Sequence, residues 1–482
     1  MNTDGKSSKD GKSSKKVKPQ KLKGFQDHTP ERSLLRKKVV TAVWDTASKL
    51  GFSVVDTPAL EYAETLLGEG GETDKQVYLF EDGGGRRVGL RYDLTVPFAR
   101  YAAEHYGSYP IPFKRAQVGQ VWRAEKPQKG RYREFGQCDF DVVGVNNVYA
   151  DLSVVQALSL TLSKSCGHPF TMSFGHRGVL TGILKSEMPN IFETPDGKEG
   201  EEKALIAIDK LDKIGSEKVI RLLSEIPGTN EKEAASLMSV FEHLRSKNGQ
   251  KQEDGGLEWL LGKVSGSLDE KALSDFEKAV SDVQFLTVEL QRLMDDHHIN
   301  ARAVVDLSIA RGLAYYTGAV FETTLDDLAT FGSVCSGGRY NDLCSRFTHR
   351  ELPGVGGSIG LDRLVSAVVE LENDAALEAE TRSGIYLAVA SADFRTYANR
   401  LYSHLLSLPM PVEMDLKGGK LQKQLQMADK LGRRFCIVVG ESEAGQIIDS
   451  GHPVSEHRLT VKDLESGEQE SVVVSEFMSR HL

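Results

Sequence analysis

The sequence predicts an α+β chain of several domains, and three observations carry that prediction. Two stretches in the first third read as antiparallel hairpins, residues 177–300 carry helical texture, and the last hundred residues alternate strand and helix. At 482 residues the chain is too long for one core, so roughly two to four domains of ~100–200 residues are expected.

The first 23 residues hold eight lysines and two aspartates, with Val17 and Leu22 as the aliphatics. Such a stretch cannot bury enough apolar surface to order itself, and a solvated, disordered tail is expected. It lacks the arginine and apolar stripe of a transit peptide, which argues for a cytoplasmic protein while leaving room for a mitochondrial pool. Thr29-Pro30-Glu31 then forms a helix start, with a capping hydroxyl, proline at the first position and an acid in the first turn. Leu34, Leu35, Val39, Val43, Ala47 and Leu50 follow at helical spacing, and Gly51 closes the helix. GFSVVDTPALEYAETL reads as a strand broken by Pro58. Val77–Phe80 and Val88–Tyr92 flank a Glu81–Gly85 turn, and the return strand sends Arg91, Asp93 and Thr95 to one side. No Lys-Ser/Thr follows those glycines, so they are not a phosphate loop.

The most informative run is RAEKPQKGRYREFGQCDFDVVG, Arg123 to Gly144. An apolar strand ends at Arg123 and Glu125, Pro127–Gly130 turns the chain, and Arg131 opens the return strand. Period-two alternation places Arg133, Phe135, Gln137, Asp139 and Asp141 on one face. A cation, an aromatic plate, an amide and carboxylates on one surface suit a nucleotide triphosphate and a small zwitterion better than a core.

Beyond the hairpin, Leu273, Phe276, Val280, Val283, Leu290 and Leu293 repeat at helical spacing within the insertion. Residues 371–383 form an acidic stretch ending in ETRSG, expected as a linker. IYLAVA, VEMDL and RRFCIVVG alternate with helical stretches at Phe394–Leu408 and Lys420–Leu431, and a terminal hairpin closes the chain. No glycine fingerprint follows the first of these strands, which excludes a Rossmann-type dinucleotide domain.

Sixty basic against 69 acidic residues give a formal charge of −9, which excludes a nucleic-acid coat protein but not a local basic groove. The five cysteines form no CxxC pair and fit a reducing compartment. His297-His298 has no partner at ligand spacing and reads as a solvated helix end, so no resident metal is assigned. No apolar run nears the ~18 residues of a membrane span.

The Arg123–Gly144 hairpin resembles motif 2 of the class II aminoacyl-tRNA synthetases, and GVGGSIGLDRL (Gly354–Leu364) resembles their motif 3. RGLAYYTGAVFE (Arg311–Glu322) and CSGGRYNDL (Cys335–Leu343) resemble the two signatures of histidyl-tRNA synthetases. Four motifs in family order, within a match from about Gly24 to the C-terminus, are far more specific than any lone pattern. The resemblance implies a class II core, an antiparallel sheet flanked by helices and split as 24–176 and 301–370 around the helical insertion at 177–300. It also implies an anticodon-binding domain at 384–482 and a homodimer through the Pro58 strand, which stands where motif 1 belongs.

What the resemblance implies for function is ligation of L-histidine to tRNA(His) with ATP and Mg²⁺, without a membrane partner. Arg123 and Arg311 would be catalytic at the α-phosphate. Asp93, Thr95 and Gln137 would accept the α-ammonium, Asp141 and Tyr316 would pair the imidazole, and Tyr315 would shape the pocket. Arg131 and Arg363 would hold the outer phosphates, with Phe135 and the Arg363 plane on either side of adenine. Gly337 and Gly338 would let the backbone approach the substrate, and Tyr340 is a further candidate. Asp93 and Asp141, where glutamate is usual in bacterial members, suggest a eukaryotic-type enzyme. Ala314 departs from the usual aspartate. A synthetase-like regulatory subunit is the rival reading; such proteins typically lose catalytic arginines or the C-terminal domain, and this chain keeps both.

Overall fold

The structure, a computed structural model, describes residues 17–68, 74–128, 130–193, 197–248, 256–307, 309, 316–381, 383–450 and 453–482. Most of the lysine-rich tail therefore lies outside the described residues. The chain forms two compact units, residues 1–371 and 372–482.

In the first unit, α1 (Pro30–Leu50) starts at Thr29, whose side chain accepts from Arg32 N, and ends at Gly51 in the left-handed conformation at φ 70°. Leu35, Val39, Ala42, Val43 and Ala47 are buried. Leu34, expected on that stripe, is 52% exposed because it lies a residue off the buried arc. The Pro58 strand resolves into β1 (Ser53–Val54) and β2 (Leu60–Tyr62), followed by α2 (Ala63–Leu66). The expected first hairpin is β3 (Leu79–Glu81) and β4 (Arg87–Leu90). Asp82 Oδ1 accepts from Gly84 N and Arg86 N, both at 2.9 Å, which makes the glycine run a turn. β2, β4 and β3 form a small antiparallel sheet.

After α3 (Thr95–Glu104) come the long strands β5 (Phe113–Trp122) and β6 (Glu134–Val143), then α4 (Val148–Ser165) and β7 (Phe170–His176). The return strand opens at Glu134, later than Arg131, because residues 123–133 bulge into a loop closed by a Gln128–Arg131 bridge.

Between β7 and β8 (Ala301–Val305) the described residues are helical or connecting. They build α5 (Arg177–Glu187), α6 (Gly197–Asp209), α7 (Leu211–Ile214), α8 (Ser216–Ser224), α9 (Glu231–Asn248), α10 (Leu257–Val264) and α11 (Glu270–Asp296). α11 buries Phe276, Val280, Val283 and Leu290 as its spacing predicts, while Leu273 and Leu293 flank the stripe half-buried. His297 and His298 are exposed at its end, and no group of three or more metal-ligating side chains occurs among the described residues. β9 (Ala319–Leu325), β10 (Cys335–Arg339), β11 (Gly354–Gly360) and the first half of α12 (Leu361–Thr381) complete the unit. Most of the expected linker at 371–383 continues α12.

The main sheet has eight strands in the order β1-β5-β6-β11-β10-β9-β7-β8. It is antiparallel except for the parallel edge pairs β1–β5 and β7–β8. Its centre is packed closely around glycine. A Cβ on Gly337 would lie 2.3 Å from Gly356 O and 2.4 Å from the Phe321 ring, and one on Gly356 would lie 2.0 Å from Asp141 Oδ1. Gly337 and Gly338 thus make room for neighbouring protein groups, Gly338 for the Tyr316 ring.

The second unit is β12 (Ile385–Val389), α13 (Arg395–Leu405), β13 (Val412–Met414), α14 (Leu421–Lys430), β14 (Phe435–Val439), α15 (Glu441–Ser450), β15 (Arg458–Asp463), β16 (Gln469–Val473) and α16 (Val474–His481). Its sheet, β13-β12-β14-β15-β16, pairs parallel in the first three strands and antiparallel in the terminal hairpin. Leu387, Leu401, Ile437, Leu459 and Phe477 centre its core.

Gly337→Ala is expected to destabilise the first unit by about 2–3 kcal/mol, because the methyl meets backbone that cannot rotate away. Urea unfolding followed by tryptophan fluorescence, which reports Trp44, Trp122 and Trp259 in that unit, checks this.

Candidate functional site

The centre of the main sheet forms the floor of a cavity of about 760 Å³. Three strands in register, β5, β6 and β11, set out its side chains in rows. Gln137 of β6 faces Gly119 and Gly360; Asp139 faces Gln117 and Ser358; Asp141 faces Arg115 and Gly356. The cavity is lined by Asp93, Thr95, Arg123, Arg131, Phe135, Gln137, Tyr316, Tyr340 and Arg363, drawn from six separate segments of chain.

Arg123, just past β5, is held against two aromatic faces. Its guanidinium carbon stands 4.2 Å from the Tyr92 ring centre and 5.0 Å from that of Phe135, and its Nε donates to Tyr92 O at 3.3 Å. This posture orients an always-charged fork beside the aromatic plate expected to stack a base. Arg363 donates through Nε to Ser333 O at 2.5 Å and through Nη2 to Phe331 O, and stacks 4.9 Å from the Phe331 ring centre. Arg131 is exposed at the rim.

Asp93 caps the start of α3, accepting from Val96 N at 2.9 Å. Burial pushes its carboxyl above the usual range, opposed by the Val96 and Thr95 amides and by Arg123. Gln137 Nε2 donates to Ser358 Oγ at 2.9 Å, while its Oε1 is buried without a hydrogen-bond partner among the described residues. A buried amide oxygen without a donor is the complement of an ammonium group. Burial also raises the Tyr316 hydroxyl, so it stays protonated.

The structure separates some residues that spacing had grouped. Arg91 is 5% exposed and turns behind the site, donating to Gln120 O at 2.8 Å and Thr57 O at 2.5 Å. Arg133 lies in the loop before β6, where its Nε donates to Glu125 O at 3.1 Å. Asp141, expected at the imidazole, is 1% exposed and does not line the cavity: Tyr340 donates to Oδ1 and Arg115 stands 3.3 Å from Oδ2. Its hydrogen bond to the cavity wall runs through Tyr340. Arg311, Ala314 and Tyr315 lie outside the described residues.

Other site residues escaped the sequence reading. Tyr92 was read only as the end of a strand. Arg115 was signalled by its alternation with Gln117 and Gly119, which puts it on the face of Asp141. Asp362 sits beside Arg363, is 3% exposed, and accepts from Gly136 N at 2.6 Å and from Arg36 Nη1. It ties α1, β6 and the start of α12 together; its signal was an acid facing inward in the first turn of a helix. Glu125, Asp209 and Glu322 add carboxylates to the lining.

Asp362→Ala leaves Arg36 and the Gly136 amide without their acceptor and is expected to cost about 3 kcal/mol. Thermal unfolding checks the stability loss, and a raised KM for ATP checks the displacement of Arg363.

The chain is 38% identical over 434 residues to the histidine–tRNA ligase of Rhodopirellula baltica, spanning 89% of this chain and 92% of that one. To the corresponding ligase of Helicobacter hepaticus it is 37% identical over 459 residues, 94% and 96% of the two chains. Both relatives are bacterial, so they lend no support to the eukaryotic-type expectation drawn from Asp93 and Asp141. The crystal structure of histidyl-tRNA synthetase from Nostoc sp. PCC 7120 superposes with a TM-score of 0.75 at 27% identity, covering 97% of this chain and all of that one. The histidyl-tRNA synthetase family profile matches residues 24–271 and 261–364, and the anticodon binding domain profile matches 384–480. A site built from both halves of this matched region, in a chain that aligns from end to end with such relatives, settles the kinship: the chain belongs to the histidyl-tRNA synthetase family.

Proposed function

We propose that the cavity on the main sheet is where L-histidine and ATP are joined, with each residue in the role set out here. As a member of its family the chain is an ATP-dependent histidine–tRNA ligase. One observation carries the assignment of the site. A single cavity gathers Arg123, Arg131 and Arg363, the Phe135 plate, and the polar set Asp93, Thr95, Gln137 and Tyr316.

In the first step an oxygen of the histidine carboxylate attacks the α-phosphorus of ATP. The bond to the bridging oxygen breaks and pyrophosphate leaves, with no covalent enzyme intermediate. Catalysis then rests on alignment and on charge placed where the transition state needs it. Arg123, clamped between Tyr92 and Phe135, holds the carboxylate and the α-phosphate together, and Arg311 joins it at the α-phosphate. Arg131 and Arg363 take the outer phosphates, and adenine lies on Phe135. Gln137 Oε1, Asp93 and Thr95 receive the α-ammonium. Tyr316 takes one imidazole nitrogen, and Tyr340, whose hydroxyl is already committed to Asp141, relays that carboxylate to the cavity wall. The lining carboxylates Glu125 and Glu322 would hold Mg²⁺ bound with ATP, which would supply neutralisation of phosphate charge.

In the second step the 3′-hydroxyl of the terminal tRNA adenosine attacks the anhydride carbonyl, and AMP leaves. The loop from Lys126 to Arg131 at the rim is suited to the acceptor end, and the helical insertion at 177–300 to the acceptor arm. The segment at 384–482 is suited to the anticodon. Homodimerisation through β1 and β2 is supported by their exposed apolar side chains: Val54 is 65% exposed, Leu60 40% and Tyr62 54%. No described helix is long and apolar enough to cross a membrane; a cytoplasmic site of action fits the cysteine usage.

Histidine-dependent exchange of pyrophosphate into ATP, without tRNA, is the direct assay. Arg311→Ala is expected to lower it at least ~100-fold, since an electrostatic contact to the transferring group is lost. Ala314→Asp is expected to change it by less than about tenfold, since the resemblance assigns position 314 no direct ligand. No exchange by a folded protein that still binds histidine would point to a regulatory subunit instead.

A further inference from the structure

Directly behind the Gln137 row lies a polar cluster in which Arg115 and Asp139 have no part in the roles given above. Arg115, Asp139 and Asp141 are at most 1% exposed. Arg115 serves both carboxylates unequally, at 3.3 Å from Asp141 and 3.8 Å from Asp139, and it also donates to Leu94 O at 2.9 Å. Asp139 is hydrogen-bonded by Ser358, but its Oδ1 is buried without a hydrogen-bond partner among the described residues. Gln117, directly across the ladder on β5, is spent as a donor on Asp56 at 3.0 Å and Thr57 at 3.1 Å, so its buried Oε1 is also without one. One rung thus carries two buried acceptors without a hydrogen-bond donor among the described residues. On the other side, Ser358 is the rung partner of Asp139 and takes the hydrogen bond from Gln137.

We propose that Asp139 is a positioning and specificity-determining residue for histidine, a proton-exchanging carboxyl behind the wall that sets the charge felt at Gln137 and at Asp141. The proposal rests on the assignment of Gln137 to the substrate α-ammonium. A proton on Asp139 supplies the missing donor between Asp139 and Gln117 and leaves Arg115 to Asp141. Its loss adds a buried negative charge one rung from the ammonium site.

The groups facing Asp139 are Arg115 on β5, Asp141 on β6, Ser358 on β11, Arg91 and Asp93 beside the start of α3, Cys335 on β10, and Tyr316. Burial, opposed by Arg115 and reinforced by Asp141 and Asp93, pushes the Asp139 carboxyl up to about 7. The sign follows. Below that pH Asp139 is neutral, and above it the ionised form attracts the substrate cation. The wild-type KM for histidine must therefore fall with rising pH beyond what the free histidine itself contributes.

The test is KM and kcat for histidine in pyrophosphate exchange, at pH 6.0 and 8.0, for wild type and Asp139→Asn. The amide cannot ionise, so the ratio of variant to wild-type KM is expected near one at pH 6.0 and about three- to tenfold at pH 8.0, with kcat changed far less. A ratio independent of pH overturns the proposal. Should Asp139→Asn fail to fold, Ser358→Ala removes the side-chain hydrogen bond from Ser358 that favours ionised Asp139, and the KM transition must move to higher pH; an unmoved transition overturns it as well. Absent exchange in wild type would instead strike the underlying site assignment, and so remains distinguishable from both results.

Discussion

The site depends on the register of three strands. Because β5, β6 and β11 pair without a bulge over the polar stretch, every second residue of each falls on the cavity side, and three rows of side chains stand one above another. A slip of one residue would turn Gln137, Asp139 and Asp141 to the opposite face and bring Cys138 and Phe140 to the cavity side. The glycines hold that register from the β10 side. Gly337 and Gly356 have no room for a side chain, so β10, β11 and the Asp141 carboxylate meet closely where a larger residue would force them apart.

A sheet centre that carries charge must also keep it solvated by protein. Arg115 lies 4.4 Å over the Phe98 ring, donates through one nitrogen to a main-chain carbonyl and faces two carboxylates, while its Nε and Nη1 make no hydrogen bond among the described residues. Tyr340, 1% exposed, spends its hydroxyl on Asp141. On the cavity side, Gln137 Oε1 finds no hydrogen-bond donor among the described residues, a local cost that an ammonium in the proposed role would relieve.

Much of this was legible in the chain. Thr29-Pro30 and Gly51 fixed α1 because capping is local chemistry, and the Glu81–Gly85 turn declared itself by its residue types. The alternation of β6 announced a polar face. What alternation cannot give is depth along that face: Phe135 and Gln137 reach the cavity while Asp139 and Asp141 are covered by Tyr340 and Arg115, which arrive from other strands. Arg91 failed for the same reason, since period two placed its side and not its partners Thr57 and Gln120. Arg133 failed because the loop ran three residues further than the turn signal suggested. Asp362 was overlooked because an acid in a first helical turn is ordinarily a solvent-exposed dipole partner.

Asp362 also explains how two substrates come to share one frame. Its carboxylate accepts from Gly136 N, the residue between Phe135 and Gln137, and it is the sequence neighbour of Arg363. The plate proposed for the base, the amide proposed for the amino acid and the arginine proposed for the phosphates are thus tied to one buried carboxylate, itself anchored by Arg36 of α1. Reaction by in-line displacement demands that carboxylate and α-phosphorus meet at a set distance and angle, and errors of an ångström are costly. Independent loops could bind both substrates well and still hold them apart. Joining β6 to the start of α12 through one acceptor makes any displacement of the nucleotide contacts a displacement of the histidine contacts too, so the relative geometry survives motions that neither half resists alone.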